Sequence, residues 1–202
     1  MSAHQQNSKF VLLHHWFDLR SDELKVFALA TFTLFLITAS NLLFNNFAET
    51  AFLKRFGVDF LPNVILINTI SAIVVMSLVG RLLSRFPGQT VLRWSLFFCT
   101  LSVVLVRLAI PLEMKFLYPV VYVMKTQYEI LLTFLFWNLA NQIFSARQSK
   151  RLFPLMVSGG ILGGLCGSFS TLWFVRLEAL DNILWAYIVG TLTAVLDRKS
   201  VV

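Results

Sequence analysis

The chain has 202 residues, of which 57% are hydrophobic and only 13% charged, and its mean hydropathy is +0.76. These values lie well beyond the usual soluble range, so water is not its main solvent. The formal net charge of +7 is explained below by loop lysines and arginines and calls for no nucleic acid partner.

The apolar residues fall in blocks of roughly 20, the length a helix needs to cross ~30 Å of hydrocarbon. Six spans are predicted: Val26 to Phe47, Phe60 to Leu83, Val91 to Ile110, Phe116 to Ser145, Leu152 to Val175 and Ile183 to Leu196. The last is the shortest and needs its flanks to reach across. None shows the period-two alternation of a closed barrel. The expected fold is therefore all-α, a polytopic membrane protein.

The sequence divides into an N-terminal arm (1–24), a six-span bundle (25–197) and a short C-terminal end (198–202). In the arm "FVLL" runs at once into "HHW" and charges, unlike a signal peptide, so the first span is expected to be retained. Phe10, Leu13 and Phe17 share a helical face, which suits an arm in the headgroup layer, with a disordered tail as the other reading. With the N-terminus inside, the inner segments hold Lys9, Arg20, Lys25, Arg81, Arg85, Arg93, Arg147, Lys150, Arg151, Arg198 and Lys199. The outer ones hold Lys54, Arg55, Arg107, Lys115 and Arg176. That bias predicts both termini in the cytoplasm. Cys99 and Cys166 sit in separate spans, and His4, His14 and His15 lack metal-ligand spacing, so neither a disulfide framework nor a metal or other cofactor is implied.

Polar residues within hydrocarbon are costly and mark where to look for a site. In the first span Thr38, Asn41, Asn45 and Glu49 recur every three or four residues and stack along one helix face. That face is either interhelical glue or the wall of a solute path. Asn63, Asn68 and Thr69 give a thinner signal of the structural kind. In the fourth span Lys125 and Glu129 are four apart and can pair on one face. Glu129 falls near mid-block, about where transporter solute sites sit. Lysine before glutamate is the weaker order for such a pair, which leaves each charge available to another partner. A purely structural ion pair would be a poor bargain after desolvation. Asn138 and Asn141 follow near the inner end, with Gln142, either as solute contacts or as groups closing the helix end. Arg147, Lys150 and Arg151 come next, explicable by the inside rule or as an anion attractor.

The fifth span carries "GGILGGLCGS". Gly159, Gly160, Gly163, Gly164 and Gly167 clear a stripe that lets a neighbouring backbone approach closely, or slide past it. No G-K-[ST] ending makes it a phosphate loop.

In "GRLLSRFPGQTVLR", Gly80, Leu82, Arg85 and Gly88 resemble the gating-loop motif of the major facilitator superfamily. Ser84 stands where that family has its Asp and Pro87 at the following Gly position, so a salt bridge made by that Asp is not carried over.

"LFWNLANQIF" followed by "SKRLFPLMVSGGILGG" resembles the ATP/ADP translocase family of nucleotide transporters. The matching positions are Phe136, Trp137, Ala140, Asn141, Gln142, Ile143, Lys150, Arg151, Pro154 and Leu155, with weaker support from Tyr122 to Met124. The resemblance implies one six-span half of a twelve-span, major-facilitator-type bundle that exchanges adenine nucleotide by alternating access. Its partners would be the lipid bilayer, the nucleotide, and a second half or a second copy, since this chain carries six spans and is expected to be an N-terminal fragment. It also implies a bacterial inner membrane. The competing reading is a sensor or anchor, related to these transporters, that signals to an attached soluble domain. An enzyme is not expected, because Ser158 and Ser168 have no histidine base within the spans.

Overall fold

Inside a bilayer a backbone must satisfy its own hydrogen bonds, and long apolar runs do so as helices. The computed structural model describes residues 21–112, 114–176 and 183–197. Among them every regular element is helical: α1 (Ser21–Phe56), α2 (Leu61–Arg85), α3 (Gly88–Ala109), α4 (Leu117–Ile143), α5 (Ala146–Arg176) and α6 (Ile183–Asp197). A 3-10 turn, Ile110–Leu112, follows α3. The expectations for the arm, up to residue 20, and for the end at 198–202 lie outside the described residues.

Local chemistry sets the helix ends. Gly57 closes α1 at φ 72°, its N–H bonding the Leu53 carbonyl at 3.0 Å, as a glycine cap does. Pro62 sits in the first turn of α2, where its missing N–H costs nothing. Phe86 is extended, as the residue before a proline must be. Ser145 and Gln148 form a reciprocal capping box before α5: the Ser145 N–H donates to Gln148 Oε1 at 2.8 Å, and the Gln148 N–H to Ser145 Oγ at 3.4 Å.

Four of these helices are long and apolar enough to cross a membrane: α1, α2, α3 and α5. The six predicted spans correspond to the six helices, but two fall short of that criterion. α4 has ample length at 27 residues, yet Lys125, Gln127, Glu129, Asn138, Asn141 and Gln142 make it too polar. α6 has only 15 residues. The chain is thus a multi-pass membrane protein whose described residues are all-helical in their regular structure.

The core sits between α1 and its neighbours α4, α5 and α6, with α3 closing it from the far side against α4 and α6. Ile37, Phe44, Leu96, Leu132, Leu135 and Tyr187 are fully buried there. α1 and α5 run side by side in the same direction. A methyl group on Gly159 would overlap Thr31, and one on Gly163 would overlap the Phe35 carbonyl. On Gly167 it would stand 2.8 Å from the Ala39 carbonyl oxygen. Gly160 faces Leu34 at 3.3 Å, whereas Gly164 has room, its nearest neighbour Thr38 at 3.8 Å. α2 is the outlier, with Val64 and Val79 its buried residues and a broad exposed apolar surface.

Candidate functional site

α4 is the polar hub. Three consecutive side chains at its centre reach three different helices. Gln127 Nε2 donates to Asn68 Oδ1 (2.7 Å) and to the Asn68 carbonyl (3.0 Å) on α2. The Tyr128 and Ser102 hydroxyls are bonded, linking α4 to α3. Asn45 Nδ2 of α1 donates to Glu129 Oε2 at 2.7 Å. One turn away, Lys125 Nζ donates to Glu49 Oε1 in a salt bridge.

Lys125 and Glu129 therefore do not pair with each other along α4, as their spacing allowed. Each turns to the polar face of antiparallel α1, where residues 45 and 49 repeat the same four-residue step. The arrangement follows from geometry: lysine ahead of glutamate is the less favourable helical order, and α1 presents a carboxylate and an amide at the matching heights. The result is a strip of Glu49, Lys125, Asn45 and Glu129 near the middle of α4.

Its environment is uneven. The Lys125 side chain is 7% exposed and that of Glu49 51%, and Glu129 is exposed. Lys125 also lies over the Tyr122 ring, 4.4 Å from its centroid, a contact that favours a desolvated cation. One wall of the strip is thus protein and the other open. A fully enclosed ion pair would suffer the larger desolvation loss; this one keeps its carboxylate half accessible.

The remaining sequence candidates lie elsewhere. Asn41 is on the same α1 face but is 5% exposed, with its Oδ1 buried and without a hydrogen-bond partner. Asn138 and Asn141 are at the far end of α4, ~20 Å along the helix from Lys125. There Gln142 Nε2 donates to Asn138 Oδ1 at 2.8 Å, and both amides crowd Gly88 at the start of α3, at 3.1–3.2 Å from where a side chain would begin. Asn141 is exposed beside them. Trp137 packs edge-on against Phe153 of α5, with centroids 5.1 Å apart. Gly80 and Arg85 stand in the last turns of α2; the link to α3 is only Phe86 and Pro87, so no separate loop carries them. Arg147, Lys150 and Arg151 likewise belong to the first turns of α5.

Glu49 is the salt-bridge partner of Lys125; the four-residue step after Asn45 had put it on the polar face of α1, but the spacing did not name Lys125 as its partner. Gln127 and Tyr128 gave no comparable signal, because a lone polar residue in a span does not name the helix it will meet.

A multi-pass helical membrane protein with charged groups held at mid-helix and open on one side is the class this geometry defines. Residues 99–186 match the family of TLC ATP/ADP transporters. The match covers all of α4 and α5, with Lys125 and Glu129, and supports the ATP/ADP translocase family and a transport role; α1, with Asn45 and Glu49, lies outside it. No curated protein and no solved structure gives a significant match.

Proposed function

We propose that this chain is one six-span bundle of a nucleotide transporter that exchanges ATP for ADP by alternating access, its solute path running along the α1–α4 strip. The observation that carries the reading is the Lys125–Glu49 salt bridge beside an exposed Glu129, within the stretch matched by the transporter family. Charges at such depth are expensive and are characteristic of solute and ion pathways.

The chemistry runs as an exchange of partners. Without solute, Glu49 neutralises Lys125. An arriving phosphate is the better acceptor, because it offers several charged oxygens. It displaces Glu49, whose half-exposed carboxylate can turn to water. Glu129, held by Asn45, keeps the strip from being a plain anion trap and requires a compensating cation or proton when the site is loaded. Asn41 and the inner-end amides Asn138 and Asn141 extend the path in one direction beyond Glu129, with Gly80 and Arg85 at its gate.

Rocking needs a second bundle, supplied by another half or another copy, in a bacterial inner membrane with both termini cytoplasmic. The decisive assay is exchange of labelled ADP for ATP in proteoliposomes, using the gene product in full and this chain alone. Exchange that falls with Lys125→Ala supports the reading. A folded, full-length protein that exchanges no nucleotide defeats it.

A further inference from the structure

α2 and α3 are joined by two residues yet scarcely touch along their length, because each leans on α4 instead. Between them lies a cleft of about 480 Å³. Leu78, Leu82 and Phe86 form one wall, Trp94 and Phe98 the other, and Leu131 of α4 the floor. Thr90 and Ser95 add hydroxyls near one side. The cleft extends from Phe86 at the turn to Val75, ~16 Å at the helical rise, which is about one leaflet of a ~30 Å hydrocarbon core.

At the turn end the charge has one sign. Arg81, Arg85 and Arg93 lie within two turns of the Phe86–Pro87 link, all exposed. Their side chains have no ion-pair or hydrogen-bond partner among the described residues. From residue 60 to residue 112 the sequence contains no Asp or Glu. Long arginine side chains within two turns of the helix ends can reach up to the headgroup level while their stems stay apolar. Trp94, 66% exposed, has the amphipathic ring suited to that boundary.

We propose that this cleft is a binding site for an anionic phospholipid of the surrounding bilayer. One acyl chain lies between α2 and α3, and the phosphate sits on Arg85, flanked by Arg81 and Arg93. Guanidinium groups hold phosphate oxygens in pairs, and a leaflet-deep apolar slot matches a single chain. A transmembrane helix from another bundle would fill the slot but leave three arginines without counter-charge.

The test uses the purified chain in phosphatidylcholine nanodiscs doped with phosphatidylglycerol or phosphatidylcholine brominated on the acyl chain. Quenching of Trp94 is isolated by subtracting the signal of the Trp94→Phe variant. Brominated phosphatidylglycerol should quench at a mole fraction lower by about fivefold or more, the preference expected from one engaged arginine. Combined Arg81→Gln, Arg85→Gln and Arg93→Gln should make the two lipids equal, while Lys54→Gln with Lys115→Gln, at the other end of the bundle, should keep the preference. Equal quenching by both lipids in the unmodified protein means an unselective lipid shell and overturns the proposal. Absence of quenching by either means the cleft is shut or filled by protein, and also overturns it. So does a preference that survives the triple arginine change.

Discussion

Lys125 and Glu49 meet across α4 and α1, 76 residues apart in sequence, although Glu129 stands one turn from Lys125 on its own helix. If Glu49 holds the place of a solute phosphate, its removal and that of Lys125 have opposite effects on binding. Lys125→Ala should weaken ADP binding at least about thirtyfold, the low end of the ~2–5 kcal/mol scale of losing one desolvated charge partner. Glu49→Gln should tighten it while slowing turnover. Titration of nucleotide binding against exchange rate checks both, and weaker binding in Glu49→Gln argues against the placeholder role.

The strip is open on the Glu129 side, and the transport reading requires water there. A Glu129→Cys variant in a Cys99→Ser, Cys166→Ser background should react with a charged, membrane-impermeant methanethiosulfonate. Leu162→Cys, exposed on α5, serves as a lipid-facing comparison and should react far more slowly. Equal inertness of both positions would place the strip against acyl chains.

Gly163 and Gly164 are adjacent but stand in different surroundings. Gly163→Ala forces a methyl group into the Phe35 carbonyl, a backbone atom that cannot turn aside. It should cost ~1–3 kcal/mol, as overpacking does. Gly164→Ala meets nothing nearer than 3.8 Å and should leave the melting temperature in detergent unchanged. A fluorescence-detected thermal melt distinguishes the two.

Two hydrogen bonds from Gln127 tie α4 to Asn68 of α2. Gln127→Leu removes two hydrogen bonds to Asn68, each worth ~0.6 kcal/mol and at most ~1.7 kcal/mol within a membrane. Hydrogen–deuterium exchange should rise across residues 61–85 and stay level in α1 and α5. Uniform loosening of the whole bundle would show that α2 is not a separate unit.

Block length alone made the helices legible. The predicted second span, Phe60 to Leu83, falls within two residues of α2 at both ends. α1 runs well past the predicted Phe47, because a helix that has left the apolar block has no reason to stop until Gly57. The glycine stripe was legible as a feature, and its partner was not. Nothing in "GGILGGLCGS" specifies Thr31, Phe35 and Ala39. The same holds for the charged strip: the spacing of Lys125 and Glu129 placed them on one face, but which neighbour they bond depends on how α1 and α4 align. Asn41 was legible as part of an α1 face, and Asn138 and Asn141 as amides near one end of their helix, but only packing shows that Asn41 is buried and that Asn138 bonds Gln142 beside Gly88.

The close seat of α1 on α5 bears on how the protein is made. Thr31 leaves the ribosome long before Gly159, and at ~5–20 residues per second the intervening chain takes ~6–26 s to synthesise. During that interval α1 resides in the bilayer with its glycine-matched surface uncovered, so a chaperone, the insertion machinery or lipid must shelter it until the fifth helix arrives.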